Sequence, residues 1–311
     1  MKLKCCIIGG SGFIGSRLIK LLVEKGREIH VVDINPMPEV VNGVHYHPIN
    51  VQDDKELLVL LSGMDEMVYL AHDGFPALHN VDPEHEVKVN IFYTVQLFRQ
   101  LHKTSLKKII YFSSGGAVYG HTDKAKLKET DETAPVSSYG IAKLAMEKYL
   151  QIFYETNGLP IITVRPSNAY GPGQIPFRGQ GFVATAIKRV QQNKPITIFG
   201  KEGTIRDYLY IDDLVAATVG LLDKGKTGET YNIGTESGHS NLEVIRMMEQ
   251  VAEKQHIKVV LNREPRRPFD VNFNVLDSTK LTQTTGWKPA TSLEEGIEKT
   301  WEWLEGRFEV D

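Results

Sequence analysis

Tyr139 and Lys143 stand four residues apart in Tyr139-Gly140-Ile141-Ala142-Lys143. On a helix that spacing puts both on one face. An ammonium one turn from a phenol favours the phenolate, as would a positively charged nicotinamide. An unperturbed phenol titrates near ~10, and a lowered value would make Tyr139 a base near neutral pH. Taken alone the spacing is common by chance, and a surface tyrosine beside a solvated lysine would read the same.

A second group of residues points to a cofactor. Gly9, Gly12 and Gly15 recur at intervals of three in Gly9-Gly10-Ser11-Gly12-Phe13-Ile14-Gly15. Such glycines allow a tight turn, close approach of backbone to a pyrophosphate, and close packing of helix on strand. The helix that follows offers free N–H groups and a positive dipole end to phosphates. Asp33 closes the second apolar run about 20 residues on, where a dinucleotide site needs an acid for the ribose hydroxyls. A carboxylate there repels a 2′-phosphate, so NAD is expected over NADP. The competing reading is a glycine turn followed by an incidental acid.

These residues need a frame. Apolar runs at residues 4–8, 29–33, 67–71, 108–113 and 161–165 read as buried parallel strands. Helical spacing lies between them at 13–25, 55–61, 87–102 and 138–156, the last ended by Asn157-Gly158 and Pro160. The alternation predicts an α/β fold with a doubly wound parallel sheet. From Pro166 to Gly181 the chain turns rich in Gly, Pro, Asn and Gln, the texture of a functional loop. Beyond it, segments are expected partly to rejoin the sheet and partly to build a smaller cap.

The bulk numbers exclude other classes. A net charge of −3 gives no broad basic footprint for nucleic acid. No apolar run approaches the roughly 20 residues of a membrane span. The start, Met1 to Ile8, reads as a strand feeding a glycine turn rather than a signal peptide. Cys5 and Cys6 are adjacent, and neighbours on a strand point to opposite faces, so packed thiols in a reducing cytosol are expected rather than a disulfide. No metal site is expected: no Cys/His set surrounds the cysteines, and His45, His47, His79 and His85 show no ligand spacing. They read as surface or packing residues. His72, closing the run at 67–71, stands near the expected nicotinamide.

With the glycine turn and Asp33 in place, the chain resembles the extended short-chain dehydrogenase/reductase family, and within it the nucleotide-sugar epimerases and dehydratases such as UDP-glucose 4-epimerase. The resemblance runs through Asn90, Ser113 to Gly120, Tyr139 with Lys143, and Arg165 to Gly173. It continues through Ile198-Phe199-Gly200, Arg206-Asp207-Tyr208, Asp212-Asp213-Leu214, Asn232-Ile233-Gly234 and Gly286-Trp287-Lys288-Pro289. It implies a Rossmann-type core over residues 1–166 and a smaller nucleotide-sugar-binding subdomain mainly over 167–311. It also implies a cytoplasmic homodimer whose helices 87–102 and 138–156 pair; their apolar residues are otherwise simply core.

Carried over by position, Tyr139 is the catalytic acid/base. Lys143 holds the ribose hydroxyls and lowers the Tyr139 pKa. Gly9, Gly12, Phe13, Ile14 and Gly15 bind the NAD phosphates, and Asp33 its ribose. Asn50 and Val51 border the adenine, while Leu70, Ala71 and Asn90 lie along the cofactor. The usual triad hydroxyl position is Gly115 here, and the segment fits a variant, S-[ST]-G-G-x-[IV]-Y-G, in which Ser114, with Ser113 second, bonds the sugar O4. Asn168 is expected on the diphosphate or sugar, Phe182 and Val183 beside the base, Arg206 and Arg267 on the diphosphate, and Asp270 on the nucleotide ribose. Two of these have bland alternatives: residues 263–267 as a solvated turn, and Arg206 as an ion pair with Asp207. The position that gates sugar size falls near Asn274.

The dehydratases of this family carry an Asp-Glu pair, and the decarboxylases a Ser-Glu, where this chain has Gly116-Ala117, which cannot do acid/base work. Two reactions remain. One is 4-epimerisation of a UDP-sugar, either UDP-glucose/UDP-galactose or the N-acetylhexosamine pair. The other is NAD(P)H-dependent reduction of a nucleotide-4-keto-6-deoxy sugar. The first is favoured by Asp33 and the Ser-Ser-Gly-Gly variant. A non-catalytic NAD-sensing protein is the alternative of another class, against which the retained Tyr139 and Lys143 stand.

Overall fold

The computed structural model describes residues 2–73, 82–179, 181–267 and 270–308. Strands β1 (Lys4–Ile8), β2 (Glu28–Val32), β3 (Val44–His47), β4 (Glu66–Tyr69), β5 (Lys108–Phe112), β6 (Ile161–Pro166) and, later, β10 (Thr230–Ile233) form a parallel sheet. Its order is β10-β6-β5-β4-β1-β2-β3. Successive strands step outward from β1 in both directions, so the β1/β4 boundary is the topological switch point, where ligands of such sheets bind. Both faces are covered, as a parallel sheet requires. One carries α1 (Phe13–Glu24); the other carries α2 (Asp54–Leu61), a short α3 (Pro83–His85), α4 (Tyr93–Gln100), and, after the one-turn α5 (Gly115–Val118), α6 (Ser138–Asn157).

Strand alternation divides the core in two. Cys5, Ile7 and Val31 pack on one side of the sheet, and Cys6, Ile8 and Val32 on the other. The adjacent cysteines are therefore free and buried on opposite faces; burial pushes the Cys6 thiol up to about 12. Periodicity predicts no strand at 44–47, yet β3 is there. It is an edge strand with a half-exposed polar pattern, which carries no apolar signal.

The remaining strands are β7 (Asn168–Tyr170), β8 (Ile196–Phe199), β9 (Ile205–Tyr210), β11 (Gly238–Ser240), β12 (Leu261–Glu264) and β13 (Phe273–Asn274). They make small sheets: β11-β9-β13 with β7 on β9, and β12 on β8. Helices α7 (Phe182–Gln191), α8 (Ile211–Lys224), α9 (Asn241–Lys254), α10 (Thr279–Thr285) and α11 (Leu293–Leu304) complete this part. Helix α9 starts at a capping box between Ser240 and Glu243. Among the described residues no helix is long and apolar enough to cross a membrane. His79 lies outside the described residues.

Candidate active site

The glycine turn joins β1 to α1 at the switch point. Gly9 has φ +84°, and a side chain there would meet the Ala71 backbone at 2.7 Å. A side chain at Gly15 would meet Gly10 Cα at 2.6 Å, so α1 packs directly on the turn. Gly12 caps α1 with no side-chain hydrogen bond. The first-turn N–H groups, including those of Phe13 and Ile14, therefore lack the partner that a capping side chain would supply. An uncapped helix start above a glycine-rich turn fits a pyrophosphate. Asp33 follows β2 and is half-buried; its carboxylate accepts from Ser11 N (3.0 Å) and Asn35 N (2.9 Å), which hold it beside the turn. Asn50 is exposed and Val51 half-buried in the loop between β3 and α2. Leu70 and Ala71 follow β4, both donating to Ile8 O, at 2.8 and 3.1 Å.

Asn90 sits on a π-helical stretch, Glu86–Phe92, where the spacing predicts regular helix. Its side chain clamps the loop after β4 from both ends: Asp73 N donates to Asn90 Oδ1 at 2.8 Å, and Asn90 Nδ2 donates to Asp73 O at 2.6 Å. Asn90 thus fixes the loop that follows β4. Such wide turns often mark functional positions.

Helix α6 brings the reacting groups. Ser137 caps it, accepting from Gly140 N at 3.1 Å, and Gly158 ends it in the left-handed conformation. Tyr139 and Lys143 fall in its first turns. The Tyr139 phenol interacts with the Ser114 side chain, which favours its ionised form. Lys143 is buried, its Nζ donating to Phe112 O at 2.9 Å and lying 5.7 Å from the centre of the Tyr139 ring. Burial lowers its ammonium to about 8. Burial pushes Tyr139 up to about 12, its interaction with Ser114 pulling the other way.

The neighbouring serines part ways. Ser113 is buried and its Oγ donates to Glu147, which also holds Arg165 (Nη2 to Oε2, 2.6 Å). Ser113 is thus tied into a network away from Tyr139, and the expectation that it contacts substrate does not fit its orientation. Gly115 cannot carry the hydroxyl either: a Cβ there would lie 2.5 Å from Leu276 Cδ1 and 2.9 Å from Arg165 O. A Cβ at Gly116 would stand 3.2 Å from Asn168 Oδ1 and 4.0 Å from Ser114 Oγ, which puts Asn168 beside the triad.

The nucleotide end is looser. Arg206 on β9 is half-buried and donates to Ile205 O at 2.9 Å. Among the described residues no carboxylate lies within ion-pair distance of it. Asp207 is instead buried and turned away, accepting from Thr235 N (2.9 Å) and Thr235 Oγ1 (2.7 Å), so the Arg206–Asp207 pair does not form. Arg267 stacks 4.2 Å above the Phe199 ring and pairs with Asp270 at 2.9 Å. Phe182 is half-buried at the start of α7, but Val183 is buried in the core, so its side chain is not offered to a base. Asn274 is also fully buried; its Nδ2 donates to Gly115 O at 3.0 Å. It positions the serine segment rather than lining an open pocket.

One pair lies outside the expected set. His72 Nε2 and Glu86 Oε1 face each other at 3.2 Å, and both atoms are buried without a well-formed hydrogen bond. His72 meets the Tyr139 ring edge-on, centroids 4.7 Å apart. Burial, with the Lys143 charge, lowers the imidazole to about 4, so it is neutral at pH 7. Regular helical spacing carries no signal for Glu86, because it lies on the π-helical stretch.

A Rossmann-type sheet with an open glycine turn at its switch point, and a Ser-Tyr-Lys set at the start of the helix before β6, defines a nicotinamide-dependent enzyme of the short-chain dehydrogenase/reductase type. The model of the NAD dependent epimerase/dehydratase family matches residues 5–234, and the chain belongs to that family. It is 32% identical to the dTDP-4-dehydro-6-deoxyglucose reductase of Escherichia coli, over 94% of this chain and 95% of that protein. Its fold is similar to UDP-glucose 4-epimerase from Thermotoga maritima, solved with UDP-glucose (TM-score 0.90, 32% identity, 97% and 98% of the two chains). It is likewise similar to UDP-glucose 4-epimerase from Thermus thermophilus, solved with NAD (TM-score 0.89, 29% identity, 98% and 100%).

Proposed function

We propose that the chain interconverts the C4 epimers of a UDP-sugar, UDP-glucose/UDP-galactose or the N-acetylhexosamine pair, through a transient 4-keto sugar. The observation that carries this reading is the grouping of Ser114 with Tyr139, with Lys143 behind them and no carboxylate at 116 or 117. When bound, NAD supplies hydride acceptance and return, and its oxidised ring supplies the positive charge that Tyr139 lacks. Tyr139 takes the O4 proton and later gives it back; Ser114 holds O4 beside it. Lys143 holds the ribose and keeps a positive charge near the phenolate. Gly116 and Ala117 leave space for the keto sugar to turn, and Asn168 borders that space. Arg206, with no acid of its own in reach, is assigned to the diphosphate; Arg267 and Asp270 frame the nucleotide ribose. On this reading residues 1–166 hold the cofactor and 167–311 mainly the nucleotide sugar. The exposed Val87, Phe92, Ile141, Tyr149 and Ile152 on the 86–100 segment and α6 supply the apolar face for a homodimer.

A second reading, reduction of a dTDP-4-keto-6-deoxy sugar, is favoured by the likeness to the E. coli reductase. One experiment separates them. The purified protein, its bound nicotinamide identified, is incubated with UDP-glucose, UDP-GlcNAc and a dTDP-4-keto-6-deoxy sugar. Exchange of C4 isomers with no net cofactor change supports epimerisation; stoichiometric cofactor oxidation supports the reductase. Tyr139→Phe should lower turnover by ~10²–10⁴. Full turnover in that variant would refute the role given to Tyr139 in both readings, whereas no turnover of any sugar by the wild type would leave a non-catalytic NAD-binding role.

A further inference from the structure

The β2/β3 edge carries a cluster that the proposed reaction does not use. His45 and His47 are two apart on β3 and share one face of the sheet. The parallel register sets His45 opposite His30, and Glu28 lies two residues before His30 on β2. A ligand atom from each of Glu28, His30 and His45 falls within 4.8 Å of the other two. His30 Nε2 is 3.3 Å from Glu28 Oε1, and the His30 and His45 rings stack with centroids 4.7 Å apart. On its other side His30 Nδ1 lies 3.0 Å from His47 Nε2. The spacings along the chain gave no hint of this group, because strand pairing assembles it.

We propose that Glu28, His30 and His45 form a binding site for a divalent cation of the zinc class. Zinc takes imidazole nitrogen and carboxylate oxygen at about 2.0–2.2 Å, so ligand atoms around it lie about 3–3.5 Å apart. The exposed His45 ring must turn out of its stack on His30 to point a nitrogen at the same ion, with water in the fourth position. Two imidazoles and one carboxylate suit Zn²⁺, Ni²⁺ or Cu²⁺ and disfavour the oxygen-seeking Mg²⁺ and Ca²⁺. His47 supports the site from behind: with the His30 Nδ1 proton directed to it, the His30 Nε2 lone pair faces Glu28. That is the outer-shell arrangement which orients ligating histidines. Lys4 Nζ, 3.3 Å from the same Glu28 oxygen, is the cation to be displaced; its side chain is 44% exposed and free to move away. A bound ion would staple the edge strand β3 to β2.

The test uses untagged full-length protein and ZnCl₂ in isothermal titration calorimetry, with MgCl₂ in parallel. One zinc per chain is expected, with little response to magnesium and a raised melting temperature. His30→Ala and His45→Ala should each weaken zinc binding by more than about 10-fold, and His47→Ala by about 10-fold. All three should keep the wild-type circular dichroism spectrum, since the cluster lies at the sheet edge. Absence of zinc binding by the wild type, equal binding of magnesium, or unchanged zinc affinity in a folded His30→Ala/His45→Ala variant would each overturn the proposal.

Discussion

Two polar clusters share helix α6 and differ in how completely they are paired. Around Glu147, one turn after Lys143, the charged atoms have partners. Glu147 accepts from Ser113 and from Arg165 Nε (3.0 Å) and Nη2 (2.6 Å); Arg165 Nη1 reaches Tyr119 (2.9 Å), which donates to Asn232 (2.8 Å). Around Tyr139, His72 Nε2 and Glu86 Oε1 are buried with no hydrogen bond. A buried polar atom costs free energy unless paired. The first cluster therefore binds β5, β6 and β10 together, and the second keeps unused polar capacity at the proposed active site. Burial is similar in both; satisfaction separates scaffold from site.

The largest effect should come from breaking the scaffold cluster. Glu147→Ala leaves the Arg165 guanidinium buried and unpaired, which costs about 3–5 kcal/mol. Urea denaturation should show that loss in the midpoint. A loss under ~1 kcal/mol would mean the pairing is not structural.

Lys143→Met should do the reverse to the site cluster, with turnover down ~10²-fold or more and stability up. The sign follows from burial. Lys143 titrates at about 8 in the folded chain against an ordinary 10.5, so at neutral pH folding holds a charge at a cost. Wild-type stability should rise as pH climbs from about 8 to 10.5, where the unfolded chain still binds the proton and the folded one does not. The methionine variant should lack that rise. Melting temperatures of the two proteins across this range check it; parallel curves would show that the Lys143 charge is offset by its neighbours.

The same contrast explains what was legible in the sequence. Gly9, Gly12, Gly15, Asp33, Tyr139 and Lys143 are found by spacing, because a turn and a helix face are local objects. The parallel strands around β1 follow from their apolar runs. The choice between Ser113 and Ser114 is not local: it turns on Glu147 taking Ser113, and on Leu276, far along the chain, filling the space over Gly115. Arg206 could be read as pairing with Asp207 until the fold gave Asp207 to Thr235. The edge strand β3 shows no apolar pattern, so its histidines look scattered. Glu86 is hidden by a π-helical stretch that regular helical spacing does not reproduce.

The finest probe of the comparison is Glu86→Gln. The Glu86 charge raises Tyr139, after the larger effect of burial, and it also raises Lys143 against the pull of burial. Removing the charge while keeping the shape should lower both titrations. If Tyr139 must lose its proton and Lys143 must keep its own, the active form is a minor one whose plateau in kcat/KM is bounded on the acid side by the lower titration, that of Lys143, and on the alkaline side by the higher, that of Tyr139. Both limbs should then move to lower pH together, with the plateau within about 10-fold of wild type. His72 adds no new limb, because its imidazole falls further below its already low value. A profile that loses height without moving would make Glu86 a packing residue of the site wall. A profile in which one limb alone moves would show that its charge reaches only one of the two catalytic groups.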